Sequence, residues 1–150
     1  MAGREIFASP DEGRILRVVT DTVRVLVSGA DTGGAYEVFE LSGPQDSDTT
    51  LHAHPWSESY VMLEGEVEMT INESKMIATP GCFVNVPGGM LHAYKILSDQ
   101  ARFILITTPS GAFDFFNELD RETGGSLEDF NKIVQIALHH GFTIPPPPAV

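Results

Sequence analysis

The stretch Leu51-His52-Ala53-His54-Pro55-Trp56-Ser57-Glu58-Ser59-Tyr60 (LHAHPWSESY) sets two of the chain's five histidines on either side of one alanine, and a glutamate four residues after the second. In a strand, residues two apart face the same side, so His52 and His54 present two imidazoles together. Glu58 has the same parity, and Pro55-Trp56-Ser57 can bend the chain to bring its carboxylate round. A third histidine, His92, follows the Pro87-Gly88-Gly89 corner in a later strand. Buried imidazoles and carboxylates need partners. Three imidazoles and one carboxylate suit one divalent first-row transition ion, with coordination positions left for substrate or oxygen. Ligands of this kind accept iron, manganese, nickel, cobalt, copper or zinc, so the identity of the ion stays open.

Outward from this stretch, short strands alternate with turn residues. RILRVV, TVRVLVS and AYEVFELS precede it; SYVML, EVEMTIN, SKMIAT, CFVNV, LHAYKIL and ARFILITT follow. In EVEMTIN, Val67, Met69 and Ile71 alternate with Glu66, Glu68 and Thr70, the period of a half-buried antiparallel strand. Glu64-Gly65, Asn72-Glu73 and Pro80-Gly81 punctuate the run. Many short strands at close spacing indicate an all-β sandwich, jelly roll or small barrel. After Pro109 the pattern changes to short α-helices. GAFDFFNEL is one; SLEDFNKIVQIALHH is another, with Ser126 as its expected cap, Gly141 as its stop, and Phe130, Ile133, Val134, Ala137 and Leu138 as an apolar stripe. His139 and His140 fall in its last turn, where a cation complements the helix dipole, so they are not read as ligands. The tail TIPPPPAV reads as polyproline. The division expected is a barrel over 1–110 and a helical extension with its tail over 111–150.

Bulk properties narrow the function classes. A chain of 150 residues fits one domain. The net charge of -12 repels phosphate backbones and anionic membranes, which excludes nucleic acid and membrane surfaces as expected partners. Cys82 is the single cysteine and reads as a small buried hydrophobe. The opening MAGREIFASPDEGR has no apolar core of a signal peptide, so a soluble, cytoplasmic protein is the simplest expectation.

The motifs carry a family resemblance. The first cupin motif, G-x5-H-x-H-x3-4-E-x6-G, is matched by His52, His54, Glu58 and Gly65, while Gly43 lies eight residues before His52 and makes the leading loop longer. The second, G-x5-P-x-G-x2-H-x3-N, is matched by Gly81, Pro87, Gly89 and His92, with Ile96 in place of the final asparagine. These segments, about 43–65 and 81–96, resemble the cupin superfamily. The resemblance implies a double-stranded β-helix, a jelly-roll barrel holding a metal inside one end, with His52, His54, Glu58 and His92 as ligands and Gly65, Gly81, Pro87 and Gly89 as scaffold.

If the ligands point inward, strand parity places Tyr60 and Met62 after Glu58, and Tyr94 and Ile96 after His92, as a substrate pocket; Met62 and Ile96 read equally well as barrel filling. Lys95 and Arg24 have outward parity and Arg102 is ambiguous, which disfavours a phosphorylated substrate. The flanks VRVLVSGADTGGAYEVFEL and PSGAFDFFNELD resemble small quercetinase-like cupins. That likeness implies a dioxygenase acting on a flavonol or similar enol, with Glu58 as base and dioxygen as co-substrate. Phe113, Phe115 and Phe116 read first as helix packing and second as a cover for the barrel mouth. An isomerase, cyclase or decarboxylase using the metal as Lewis acid is the second reading, and a non-enzymatic small-molecule binder the third. Family analogy also implies a homodimer.

Overall fold

The computed structural model describes residues 3–146. Strands β1 (Arg14–Val18), β2 (Asp21–Val27), β3 (Glu37–Pro44), β4 (Ser57–Glu64), β5 (Val67–Ile71), β6 (Ser74–Ala78), β7 (Phe83–Val86), β8 (His92–Ile96) and β9 (Gln100–Thr108) precede helices α1 (Ala112–Thr123) and α2 (Phe130–His139). The strands make a six-stranded sheet, β1-β2-β3-β9-β4-β7, and a three-stranded sheet, β6-β5-β8, and neighbouring strands within each sheet run antiparallel. This is the jelly-roll barrel. No helix among the described residues is long and apolar enough to cross a membrane.

Alternation decides what fills the barrel. Phe39 and Leu41 of β3, Tyr60 and Met62 of β4, and Ala101, Phe103 and Leu105 of β9 are buried, and Val67 and Met69 of β5 with Tyr94 and Ile96 of β8 are buried too. Each large apolar side chain so buried contributes roughly 1.5–3 kcal/mol. Turn chemistry fixes the register. Asn72 takes φ 52° in the two-residue Asn72-Glu73 turn, where Ile71 pairs with Ser74; positive φ is what a tight hairpin asks for. Gly65 takes φ 83°, and a Cβ there would come within 2.3 Å of the Gln100 carbonyl, so glycine is required twice over.

The helices close one flank. Glu37, buried at the start of β3, accepts hydrogen bonds from the Gly111 and Phe113 amides at 3.0 and 3.1 Å. A carboxylate thus satisfies free N–H groups at the start of α1. Phe116 of α1 packs edge-on against Phe39, with centroids 5.2 Å apart. Two sequence expectations need correction at α2. The helix starts at Phe130, and Asp129 caps it by accepting from the Lys132 amide at 3.0 Å; Ser126 lies in the preceding turn. The buried face is Ile133, Ile136 and Ala137, whereas Phe130 and Leu138 are exposed. With the later start Phe130 is the first helical residue, and Ile136 rather than Leu138 completes the buried face. The proline tail lies partly outside the described residues, but its beginning is ordered: Thr143 pairs with Ala53.

Candidate metal centre

The two histidines do not sit in a regular strand as the alternation suggested. β4 begins only at Ser57; His52 and Ala53 form isolated bridges, to His92 and Thr143 respectively. The parity argument survives because each bridge fixes the chain locally as a strand would. His52 and His92 exchange backbone hydrogen bonds at 3.0 and 2.8 Å, which brings the two motif segments together. Gly88 permits the approach: a Cβ there would lie 2.4 Å from the Pro55 carbonyl oxygen. Gly89 then donates to the His54 carbonyl at 2.9 Å.

The imidazoles converge. A ligand nitrogen from each of His52, His54 and His92 lies within 4.8 Å of the others. Their ring centroids are 4.4 Å (His52–His92), 4.8 Å (His54–His92) and 5.4 Å (His52–His54) apart. Each Nδ1 is held by a backbone carbonyl: His52 by Thr50 at 2.6 Å, His54 by Trp56 at 2.9 Å, His92 by Met90 at 2.8 Å. A carbonyl can only accept, so each Nδ1 carries the proton and each Nε2 presents a lone pair. This is the outer-shell arrangement that orients metal-ligating histidines.

Glu58 of β4 faces two of these nitrogens, with Oε1 2.9 Å from His54 Nε2 and Oε2 3.5 Å from His92 Nε2. The His54 and His92 Nε2 atoms are buried with no hydrogen-bond partner. Lone pairs of imidazole and carboxylate therefore point at one another in a dry interior. That is repulsive unless a cation lies between them. Two ligands at right angles around an ion with bonds near 2.1 Å would be roughly 3.0 Å apart, which matches the His54–Glu58 spacing. The donor set fits a divalent transition ion, with the three histidines and Glu58 as the residues that would hold it.

Charge states agree. Burial, reinforced by the neighbouring His92, pushes His52 down to about 4, so it is neutral at physiological pH. Burial alone would raise the Glu58 pKa, but protons on the facing His54 and His92 nitrogens would outweigh it and hold the carboxyl well below its usual range, and Glu58 in turn raises His92 against its own burial. A cation between them would take the place of those protons. Tyr60 donates its hydroxyl to Glu58 Oε2, and burial together with that carboxylate keeps its phenol pKa well above normal. Trp56 Nε1 donates to Glu58 Oε1 at 3.3 Å.

The four residues read as pocket, Tyr60, Met62, Tyr94 and Ile96, all lie in the barrel interior. The hydroxyl of Tyr60 is committed to Glu58, and that of Tyr94 to Asp21. Arg24 pairs with Glu40, Lys95 with Asp46, and Arg102 with Glu40 and Glu64. Two residues at the centre escaped the sequence reading. The Trp56 indole stacks on His54 at 4.4 Å and 15°. Phe142, just beyond α2, lies nearly parallel to His52 at 5.3 Å and edge-on to His54 at 5.1 Å. The segment carrying Phe142 is strapped down by reciprocal Ala53–Thr143 backbone bonds of 2.9 and 2.8 Å. Phe115 packs behind it at 4.4 Å and Phe116 against the core, while Phe113 is only partly buried. For Trp56 the signal was an aromatic ring inside the motif itself; for Phe142 no local signal existed.

Comparison with known proteins agrees with this geometry. Residues 39–108 match the model of the cupin domain. Over 84 residues, 55% of this chain, the sequence is 30% identical to quercetin 2,3-dioxygenase of Bacillus subtilis strain 168; the chain spans only 25% of that relative's length. The fold is similar to KdgF from Halomonas sp., with TM-score 0.65 and 15% identity over 72% of this chain and 98% of that one. It is similar also to the polyketide cyclase RemF from Streptomyces resistomycificus, with TM-score 0.63 and 16% identity over 71% of this chain and 81% of that one. With both histidine motifs converging inside a jelly-roll barrel, the chain carries a cupin domain over its central residues 39–108.

Proposed function

We propose that this cupin is a metal-dependent dioxygenase acting on a chelating aromatic or enolic small molecule of flavonol type. The observation that carries the reading is the pair of buried, partnerless Nε2 atoms facing the Glu58 carboxylate. The name of the curated relative, a quercetin dioxygenase, supports the reaction class. A bound divalent ion supplies Lewis acidity that lowers the pKa of an enol oxygen beside it.

The chain's own residues would do the rest. Glu58, ionised and buried, accepts the enol proton. Tyr60 anchors Oε2 and leaves Oε1 toward the imidazoles. Trp56 and Phe142 form aromatic walls that exclude water and suit a planar substrate. The cations of Arg24, Lys95 and Arg102 are engaged in ion pairs elsewhere, which favours an uncharged oxygen chelator over a phosphate ester. Replacing Glu58 by Gln should leave metal partly bound and reduce flavonol-dependent oxygen consumption by a factor of about 100 or more. Full oxygen uptake in that variant excludes the base role. Turnover of the same substrate without dioxygen would overturn the oxygenase and favour Lewis-acid chemistry at the same centre.

A further inference from the structure

A second cluster of metal-binding side chains lies outside the barrel. Glu118 of α1, His139 in the last turn of α2 and the capping His140 bring one potential ligand atom each within 4.8 Å of the others. His140 Nε2 is 2.5 Å from Glu118 Oε2, and the two histidine rings are 5.5 Å apart. Adjacent residues on a regular helix diverge by about 100°. Here His140 has left the helix, with φ -91° and ψ 16°, and that turn allows its ring to meet the cluster.

We propose that Glu118, His139 and His140 form a second divalent-metal site that fastens the root of the Phe142 strap. Two imidazoles and a carboxylate are ligands for zinc, cobalt, nickel or copper, with water completing the shell at this accessible surface. The carboxyl end of α2 favours a cation, and the chain's charge of -12 favours accumulation of cations near its surface. A simple Glu118–His140 ion pair would use two of the three donors and be worth little at the surface; His139 supplies the third. The location gives the site a consequence. Gly141 follows His140 directly, Phe142 then lies against His52 and His54, and Thr143 pairs with Ala53. Phe115, from the same helix as Glu118, touches both His140 and Phe142, with centroid separations of 5.7 and 4.4 Å. An ion joining α1 to the end of α2 would therefore restrain the segment that covers the barrel centre.

Equilibrium dialysis of the full chain against zinc tests this independently of any reaction in the barrel. The unaltered chain should take up two equivalents. His139→Ala, at an exposed position, and Glu118→Gln should each weaken one of them by more than about tenfold and leave the other unchanged. Hydrogen exchange at the Thr143 amide should slow when the outer equivalent binds, and not in His139→Ala. Identical binding curves for the unaltered chain and both variants would overturn the proposal, as would exchange at Thr143 that ignores the outer equivalent. A single equivalent that survives in His139→Ala leaves the barrel centre standing and removes this site; a single equivalent lost in that variant does the reverse.

Discussion

The barrel buries two carboxylate–phenol pairs, and they behave in opposite ways. Near one end Tyr60 donates to Glu58; elsewhere in the interior Tyr94 donates to Asp21. Phe103 contacts both phenols, with ring centroids 5.5 Å from Tyr60 and 5.7 Å from Tyr94. Asp21 also accepts from Ser47 Oγ, which meets Thr20 Oγ1 at 2.6 Å. Burial raises the Asp21 pKa, against the lowering effect of those hydroxyls. Glu58 is driven well below its usual range because imidazoles outweigh the same burial. The Asp21 pair is surrounded by donors that satisfy it. The Glu58 pair leaves two imidazole nitrogens unanswered. Burial of an acid is therefore not what marks the candidate metal centre here; the unanswered Nε2 atoms are.

The difference can be broken most severely at His92. Its replacement by Ala removes one of three converging imidazoles and should weaken metal binding in the barrel by at least about 100-fold, as read by competition with a chromogenic chelator. Asp21→Asn should leave that affinity unchanged. Phe103→Ala opens a cavity between the two pairs, and urea unfolding should show a loss of about 3–5 kcal/mol. Both ends should feel it.

The Asp21 pair makes a pH prediction of definite sign. With its folded pKa above the ordinary 3.8, Asp21 keeps its proton longer in the folded chain than in the unfolded one. Its favourable contribution is fully present below about pH 3.8 and is lost as pH rises through the folded value. Unfolding measured across that window should therefore show the unaltered chain losing stability relative to Asp21→Asn as pH increases. A difference that moves the other way contradicts the assignment. Smallest of all, Leu138→Ala on the exposed side of α2 should change stability by no more than about 0.5 kcal/mol; a core-sized loss would mean that α2 buries the stripe first read from its sequence.

The same contrast explains what the sequence could tell. Strand periodicity and turn residues were local, so the barrel was legible from Val67, Met69 and Ile71 and from the Gly and Pro corners. His52, His54, Glu58 and His92 were legible because two short motifs carried them. Asp21 was hidden because its partners, Ser47 and Tyr94, are 26 and 73 residues away. Phe142 was hidden for a similar reason: the Ala53–Thr143 bridge that places it joins segments far apart in the chain. The start of α2 differs from the sequence expectation because Ser126 and Asp129 are both good caps: Ser126 Oγ accepts from the Glu128 amide in the connection, and Asp129 accepts from the Lys132 amide at the helix itself.

The central claim is that four side chains from two distant segments converge on one cation. Anomalous diffraction at the absorption edge of an added transition metal tests it directly. The account predicts a peak inside the barrel bonded to Nε2 of His52, His54 and His92 and to a Glu58 oxygen. A fully loaded crystal with no peak there, or with any of those four side chains turned to solvent, would contradict it.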